Sequence, residues 1–236
     1  MNNEKINNKK YKDTIFRVLF NNKKEALQLY NDIYDIDYKD DTLINIVNID
    51  DTLCTARKSD VTFTMDGKVV IILEYKYEIN ENLPLMFFVY IAKVYEKIVD
   101  IEDTYKTELV KIPSPKFVVL YNGKEDLKQN GKKVTELEMS LPNAFTGIKV
   151  QVKVIDIRYS SQNKVVRRKD TLEKYSHFIQ IVEDCRKQDK DVKNEIEKAV
   201  NIAIEQGILA DFLKENISDV CDILTLEYNE EIEDEE

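Results

Sequence analysis

At 236 residues, with 43% hydrophobic and 9% aromatic side chains, the chain can bury a substantial core as one domain with appendages or one domain plus a small helical one. A single histidine, His177, and three widely spaced cysteines, Cys54, Cys185 and Cys221, argue against a structural zinc site, a disulfide framework and most histidine-based catalysis. The formal net charge of −10 counts against a nucleic-acid enzyme in bulk, yet Glu227, Glu230, Glu231, Glu233, Asp234, Glu235 and Glu236 crowd the C-terminal end.

Along the chain, Ile15, Phe16, Leu19 and Phe20, then Ala26, Leu27, Tyr30, Ile33 and Tyr34, repeat at helical spacing. Asn21-Asn22 interrupts them, which predicts two short helices or one broken one. Leu43 to Ile49 alternates as a strand. Val61 to Met65 and Lys68 to Tyr77 read as a hairpin turning at Asp66-Gly67, and the continuous apolar run Val69 to Leu73 predicts a central strand covered on both faces. Leu83 to Ile101 is in helical register, with Pro84 suited to its first turn. Lys116 to Tyr121 is a strand ended by Asn122-Gly123, a polar insertion follows to about Gly131, and Ile148 to Tyr159 is a further strand. The order is an α/β core with a mixed sheet and a helix crossing over it. From 170 to 228 the pattern is helical throughout, with Leu172, Tyr175, Phe178, Ile179 and Val182 on one stripe, and Gly207 stopping a helix that begins near Glu195. The expected organisation is a core over 1–160, a helical C-terminal appendage over 161–228 and an acidic disordered tail over 229–236.

Asp60 and the triplet Glu74-Tyr75-Lys76 carry the chemistry. Two carboxylates converging on one sheet face can hold a divalent ion, and Lys76 shares the face of Glu74 because strand side chains alternate. Convergence depends on the hairpin loop. A two-residue loop, Asp66-Gly67, pairs Asp60 with Leu73 and separates the acids. A three-residue loop, Met65-Asp66-Gly67, or a bulge of the same effect, brings them to one face. The plainer reading is an ion pair of Lys76 with Glu74 or Asp60 at a strand end.

Ser59-Asp60-Val61-Thr62-Phe63, Val70-Ile71-Ile72-Leu73-Glu74-Tyr75-Lys76, Ile79-Asn80-Glu81-Asn82-Leu83-Pro84-Leu85 and Tyr90-Ile91-Ala92-Lys93-Val94-Tyr95-Glu96-Lys97 together resemble the Rpn family. These are bacterial recombination-promoting nucleases, also labelled transposases, of the PD-(D/E)xK superfamily. The stretches Lys12 to Phe20, Gly207 to Leu213 and Glu227 to Glu230 resemble the family's two ends. The resemblance implies a PD-(D/E)xK restriction-endonuclease-like core, a mixed sheet flanked by helices. It implies an Mg²⁺-dependent endodeoxyribonuclease, a hydrolase of DNA phosphodiesters serving DNA recombination. Asp60, Glu74 and the Tyr75 carbonyl would be the metal ligands (Mg²⁺, or Mn²⁺ in its place), and Lys76 would position water or stabilise charge. The chain departs from the family at Tyr75-Lys76, where many members have His-Gln, and at Met86, where many have arginine.

Asp13 is a weaker candidate near the site and reads better as a helix cap. Lys5, Lys9, Lys10 and Lys12, like Lys164, Arg167, Arg168 and Lys169, could follow a phosphate backbone, though solvated surface is the plainer reading of each. Tyr30, Tyr34 and Tyr38 read as packing and His177 as a packed helix position. Leu209, Phe212, Leu213 and Leu226 read as exposed apolar positions that could dock on the core or make a dimer, and a homodimer through the C-terminal helices is expected. No run is long enough to span a bilayer and the N-terminus lacks a secretory apolar run, so a cytoplasmic protein is expected. The competing expectation is a catalytically silent nuclease-fold protein acting as a protein-interaction module.

Overall fold

Asn22 separates the first two helices. Its backbone is extended and its side chain accepts from the Glu25 N–H at 3.0 Å, so α1 (Tyr11–Phe20) ends and α2 (Lys23–Tyr34) begins there. Asp13 lies inside α1 rather than ahead of it, so it is not the cap. The computed structural model describes residues 11–47, 61–76, 78–123, 126–129, 132–138, 148–161, 163–168, 171–185 and 192–225. Asp60, Cys54, the basic residues before Tyr11, Lys169, Leu226 and the acidic C-terminal end fall outside the described residues.

The chain divides into two units, Phe20–Ile157 and a second made of Met1–Leu19 with Arg158–Glu236. The residues up to Leu19, expected with the sheet, thus group with the C-terminal helices.

The first unit holds a six-stranded mixed sheet in the order β1-β2-β3-β4-β8-β7. Its strands are β1 (Ile44–Ile46), β2 (Val61–Met65), β3 (Val69–Lys76), β4 (Ser114–Tyr121), β7 (Glu136–Glu138) and β8 (Gln151–Asp156). β5 (Lys128–Gln129) and β6 (Lys132–Lys133) form a separate small hairpin inside the polar insertion. β1, β2 and β3 run antiparallel, β3, β4 and β8 run parallel, and β7 closes the edge antiparallel to β8. The parallel step from β3 to β4 needs a crossover, and α3 (Leu83–Ile98) supplies it with Pro84 in its first turn. α3 stops three residues short of the expected Ile101, and a 3-10 turn over Ile101–Tyr105 follows.

Alternation sorts the sheet's core into two faces. Phe117, Val119, Tyr121, Val152 and Val154 meet Leu83, Phe87, Tyr90, Ile91 and Val94 of α3, and Met86 and Tyr95 pack against this cluster. The Tyr95 hydroxyl donates to the Pro113 carbonyl at 2.7 Å. On the opposite face α2 packs: the Tyr30 ring lies edge-on to Phe63 at 6.4 Å, and Lys153 Nζ donates to the Ile33 carbonyl at 3.0 Å. Tyr30 also lies 5.0 Å from Tyr34 and 6.4 Å from Tyr38, so these tyrosines pack as expected. Burial, with Tyr30 adding to it, raises the Tyr34 phenol above its ordinary value. Each large apolar side chain so buried contributes about 1.5–3 kcal/mol.

In the second unit, α4 (Thr171–Cys185) and α5 (Val192–Glu205) bury Leu172, Tyr175, Phe178, Ile179 and Val182, with Ile196, Ala199, Val200 and Ala203. The Phe16 ring of α1 meets Tyr175 edge-on at 5.5 Å. α5 ends at Gly207, φ 71°, where Ile208 N–H donates to Ala203 and Gly207 N–H to Ile204, the pairing of a glycine-terminated helix. α6 (Ala210–Glu215) and a helical stretch over 217–225 follow. Leu209 and Leu213 are buried within this unit. They are therefore not the exposed positions expected of them.

Candidate functional site

The hairpin of β2 and β3 decides which residues can meet. Asp66 (φ 52°) and Gly67 (φ 60°) both take left-handed conformations, and Lys68 N–H donates to the Met65 carbonyl at 3.0 Å. This is the geometry that an Asp-Gly pair favours in a hairpin turn. Pairing does not begin at Lys68, however. Met65 faces Val69, Thr64 faces Val70, and the ladder runs on to Val61 facing Leu73. The connection is therefore Asp66-Gly67-Lys68, neither of the two loops considered from sequence. Lys68 is one extra residue with the effect of a bulge, and its carbonyl is taken by the Ser114 N–H of β4 at 2.8 Å.

Parallel pairing then aligns the carboxyl ends of three strands. Glu74 pairs with Val119 and Lys76 with Tyr121, while Val119 pairs with Val154 and Tyr121 with Asp156. The ladder extends one step further, with Asn122 N–H donating to the Lys76 carbonyl and Ile157 N–H to the Tyr121 carbonyl, each at 2.8 Å. Lys76, Tyr121 and Asp156 thus form one row, on the face that packs against α3. With strands about 4.8 Å apart, the ends of the row lie roughly 10 Å apart at Cα. Lys76 is half-buried; Tyr121 and Asp156 are buried.

Of the residues singled out from sequence, Lys76 stands in this row, and Glu74 and Tyr75 are placed by their backbones in the same strand end. Asp60 lies outside the described residues. Among the described residues no group of three or more His, Cys, Asp or Glu is gathered closely enough to hold a metal.

Sequence reasoning passed over Asp156 and Asn122. Asp156 is a carboxylate inside Val154-Ile155-Asp156-Ile157, where a charge in an apolar run needs a partner or a task. Asn122 was read only as a turn, yet it is 8% exposed and its Nδ2 is a buried donor without a partner among the described residues. The row carries an ammonium at one end and a carboxylate at the other. Carboxyl ends of parallel strands are where open α/β sheets bind ligands.

A groove of about 310 Å³ in the helical unit is lined by Ile15, Val18, Phe212 and Ile223 with Asp219 and Asp222, a lining with no cation for a phosphate. His177 stacks on Tyr159 with ring centres 4.0 Å apart and planes 4° apart, and the Arg167 guanidinium lies 5.7 Å from the Tyr159 ring. Burial lowers the pKa of His177, and Glu173 opposes that shift. His177 is thus a packed helix position, as expected. No helix among the described residues is long and apolar enough to cross a membrane. No family model, curated protein or solved structure matches this chain.

Proposed function

We propose that this protein is a metal-dependent DNA endonuclease built on a PD-(D/E)xK core and serving recombination or mobile elements. The observation that carries the reading is the hairpin register. The described ladder ends at Val61 facing Leu73, the residue before Glu74, and Asp60 precedes Val61 in the sequence. Positions 74 and 76 share strand parity, which adds the ammonium to the same group.

Asp60, Glu74 and the Tyr75 carbonyl are all oxygen donors, the set that Mg²⁺ or Mn²⁺ prefers. When bound, the metal supplies Lewis-acid polarisation of the phosphate and a more acidic water. Lys76 binds the phosphate electrostatically and offsets the charge that builds on its oxygens. Tyr121 and α3 exclude solvent from one side of the row. Purified protein is expected to nick supercoiled plasmid in Mg²⁺ and to lose that activity by at least a hundredfold in Asp60→Ala at unchanged melting temperature. Equal nicking by both proteins would sink the assignment.

The second reading, a silent interaction module, draws on the net charge of −10 and on Leu85, Phe88 and Val89, exposed apolar residues on the outer face of α3. It is favoured if calorimetric titration of the intact protein with Mg²⁺ and Mn²⁺ gives no heat of binding.

A further inference from the structure

α3 is apolar on two opposite sides. Leu83, Phe87, Tyr90, Ile91 and Val94 are buried against the sheet. On the other side Leu85, Phe88 and Val89 are 52%, 37% and 38% exposed, and Ala92 is exposed in line with them. At 3.6 residues per turn these four fall within roughly 100° of arc, so they form one stripe. No charge interrupts it between Leu85 and Ala92, and the exposed Glu96 continues it one turn further on. A helix that is apolar all round is ordinarily covered all round. Ile101, Tyr105 and Leu109 are exposed as well, but they stand on a 3-10 turn and the loop after it rather than on one face.

The charges at the ends of the stripe say what covers it. Asn82 makes no side-chain cap bond at the start of α3, and the first turn holds no acidic residue. That end is the positive pole of the helix and has no carboxylate on it, whereas Glu96 stands at the negative pole, where a carboxylate is disfavoured. Glu96 and Asn82 are equally far from Val89 in sequence, as are Lys97 and Glu81. An antiparallel pairing of two α3 helices about a twofold axis at Val89 therefore sets Glu96 of one copy against the helix N-terminus of the other, and Lys97 against Glu81. A parallel pairing would set Glu96 against Glu96. The uncharged middle of the stripe lets two chains of net charge −10 meet without opposing like charges. We infer that the outer face of α3 is a homodimer interface, covered by α3 of a second copy running antiparallel. The inference is independent of the nuclease reading, and it moves the dimer contact from the C-terminal helices to the crossover helix.

The test is sedimentation velocity of the full chain over a concentration series. The wild type is expected to dimerise reversibly. Val89→Arg, which faces two cations across the axis, is expected to raise the dissociation constant about thirtyfold or more with an unchanged far-UV circular dichroism spectrum, because the position is exposed in the single chain. Glu96→Gln separates the two directions: it weakens an antiparallel dimer by about threefold, through the lost contact with the helix N-terminus, and tightens a parallel one by removing a repulsion. A wild type that stays monomeric throughout the series would overturn the inference, and binding of that monomer to phosphatidylcholine vesicles would assign the stripe to a lipid surface instead. A dimer equally tight in Val89→Arg would overturn it by placing the contact elsewhere, and a dimer unchanged or tightened in Glu96→Gln would overturn the antiparallel pairing.

Discussion

His177 carries a testable titration. Its ring is stacked on Tyr159, the Arg167 guanidinium stands near that tyrosine ring, and Glu173 sits one turn away on α4. Burial holds its pKa below the ordinary 6.5, with Glu173 pulling the other way. As pH falls through about 6.5, the unfolded chain takes up a proton before the folded one does. Stability is therefore full above that pH and declines below it until the folded pKa is passed. The melting temperature is expected to drop between about pH 7.5 and pH 5 by more in the wild type than in His177→Gln. A wild type that gains stability over that window relative to the variant would contradict the burial. At this scale the sequence was legible where a residue type is rare: the single histidine drew attention at once. Asn122 was not, because a buried unpaired donor is a property of the packed surroundings, and Asn-Gly read locally is a turn.

The hairpin is the element on which the site turns. Gly67 adopts φ 60°, and a Cβ built there would meet nothing within 4 Å, so the cost of a side chain is the backbone's alone. Gly67→Ala is expected to destabilise the protein by about 1 kcal/mol, read from urea denaturation with an unchanged slope. No change would mean that the loop does not hold its left-handed turn. Strand positions were legible from apolar runs and the Asp-Gly signal. The loop length was not, because Lys68 is held out of the ladder by the Ser114 N–H of a strand more than 40 residues further on. β5, β6 and β7 were missed for a different reason: they are two or three residues long and mostly charged or polar, so no period of two can show. Element ends such as that of α5 were readable, since Gly207 supplies the left-handed residue that a helix terminus favours.

Across the whole molecule, the change from strands to helices was visible in pattern: among the described residues the last strand ends at Asp156 and α4 begins at Thr171. The grouping of the N-terminal segment was not, because the stripe of Ile15, Phe16 and Leu19 reads the same whichever surface covers it. The net charge of −10 still sets the terms for any nucleic-acid role: affinity has to come from a few placed cations such as Lys76 rather than from an overall field. A metal-dependent nuclease of this design needs positions 60 and 74 to share an ion. A crystal of the intact protein soaked in Mn²⁺, with anomalous scattering recorded at the manganese edge, tests this most directly. The prediction is one strong anomalous peak bridging the Asp60 and Glu74 carboxylates, beside the Tyr75 carbonyl and near Lys76. Carboxylates on opposite faces of the sheet, or density there that carries no anomalous signal at saturating Mn²⁺, would contradict it.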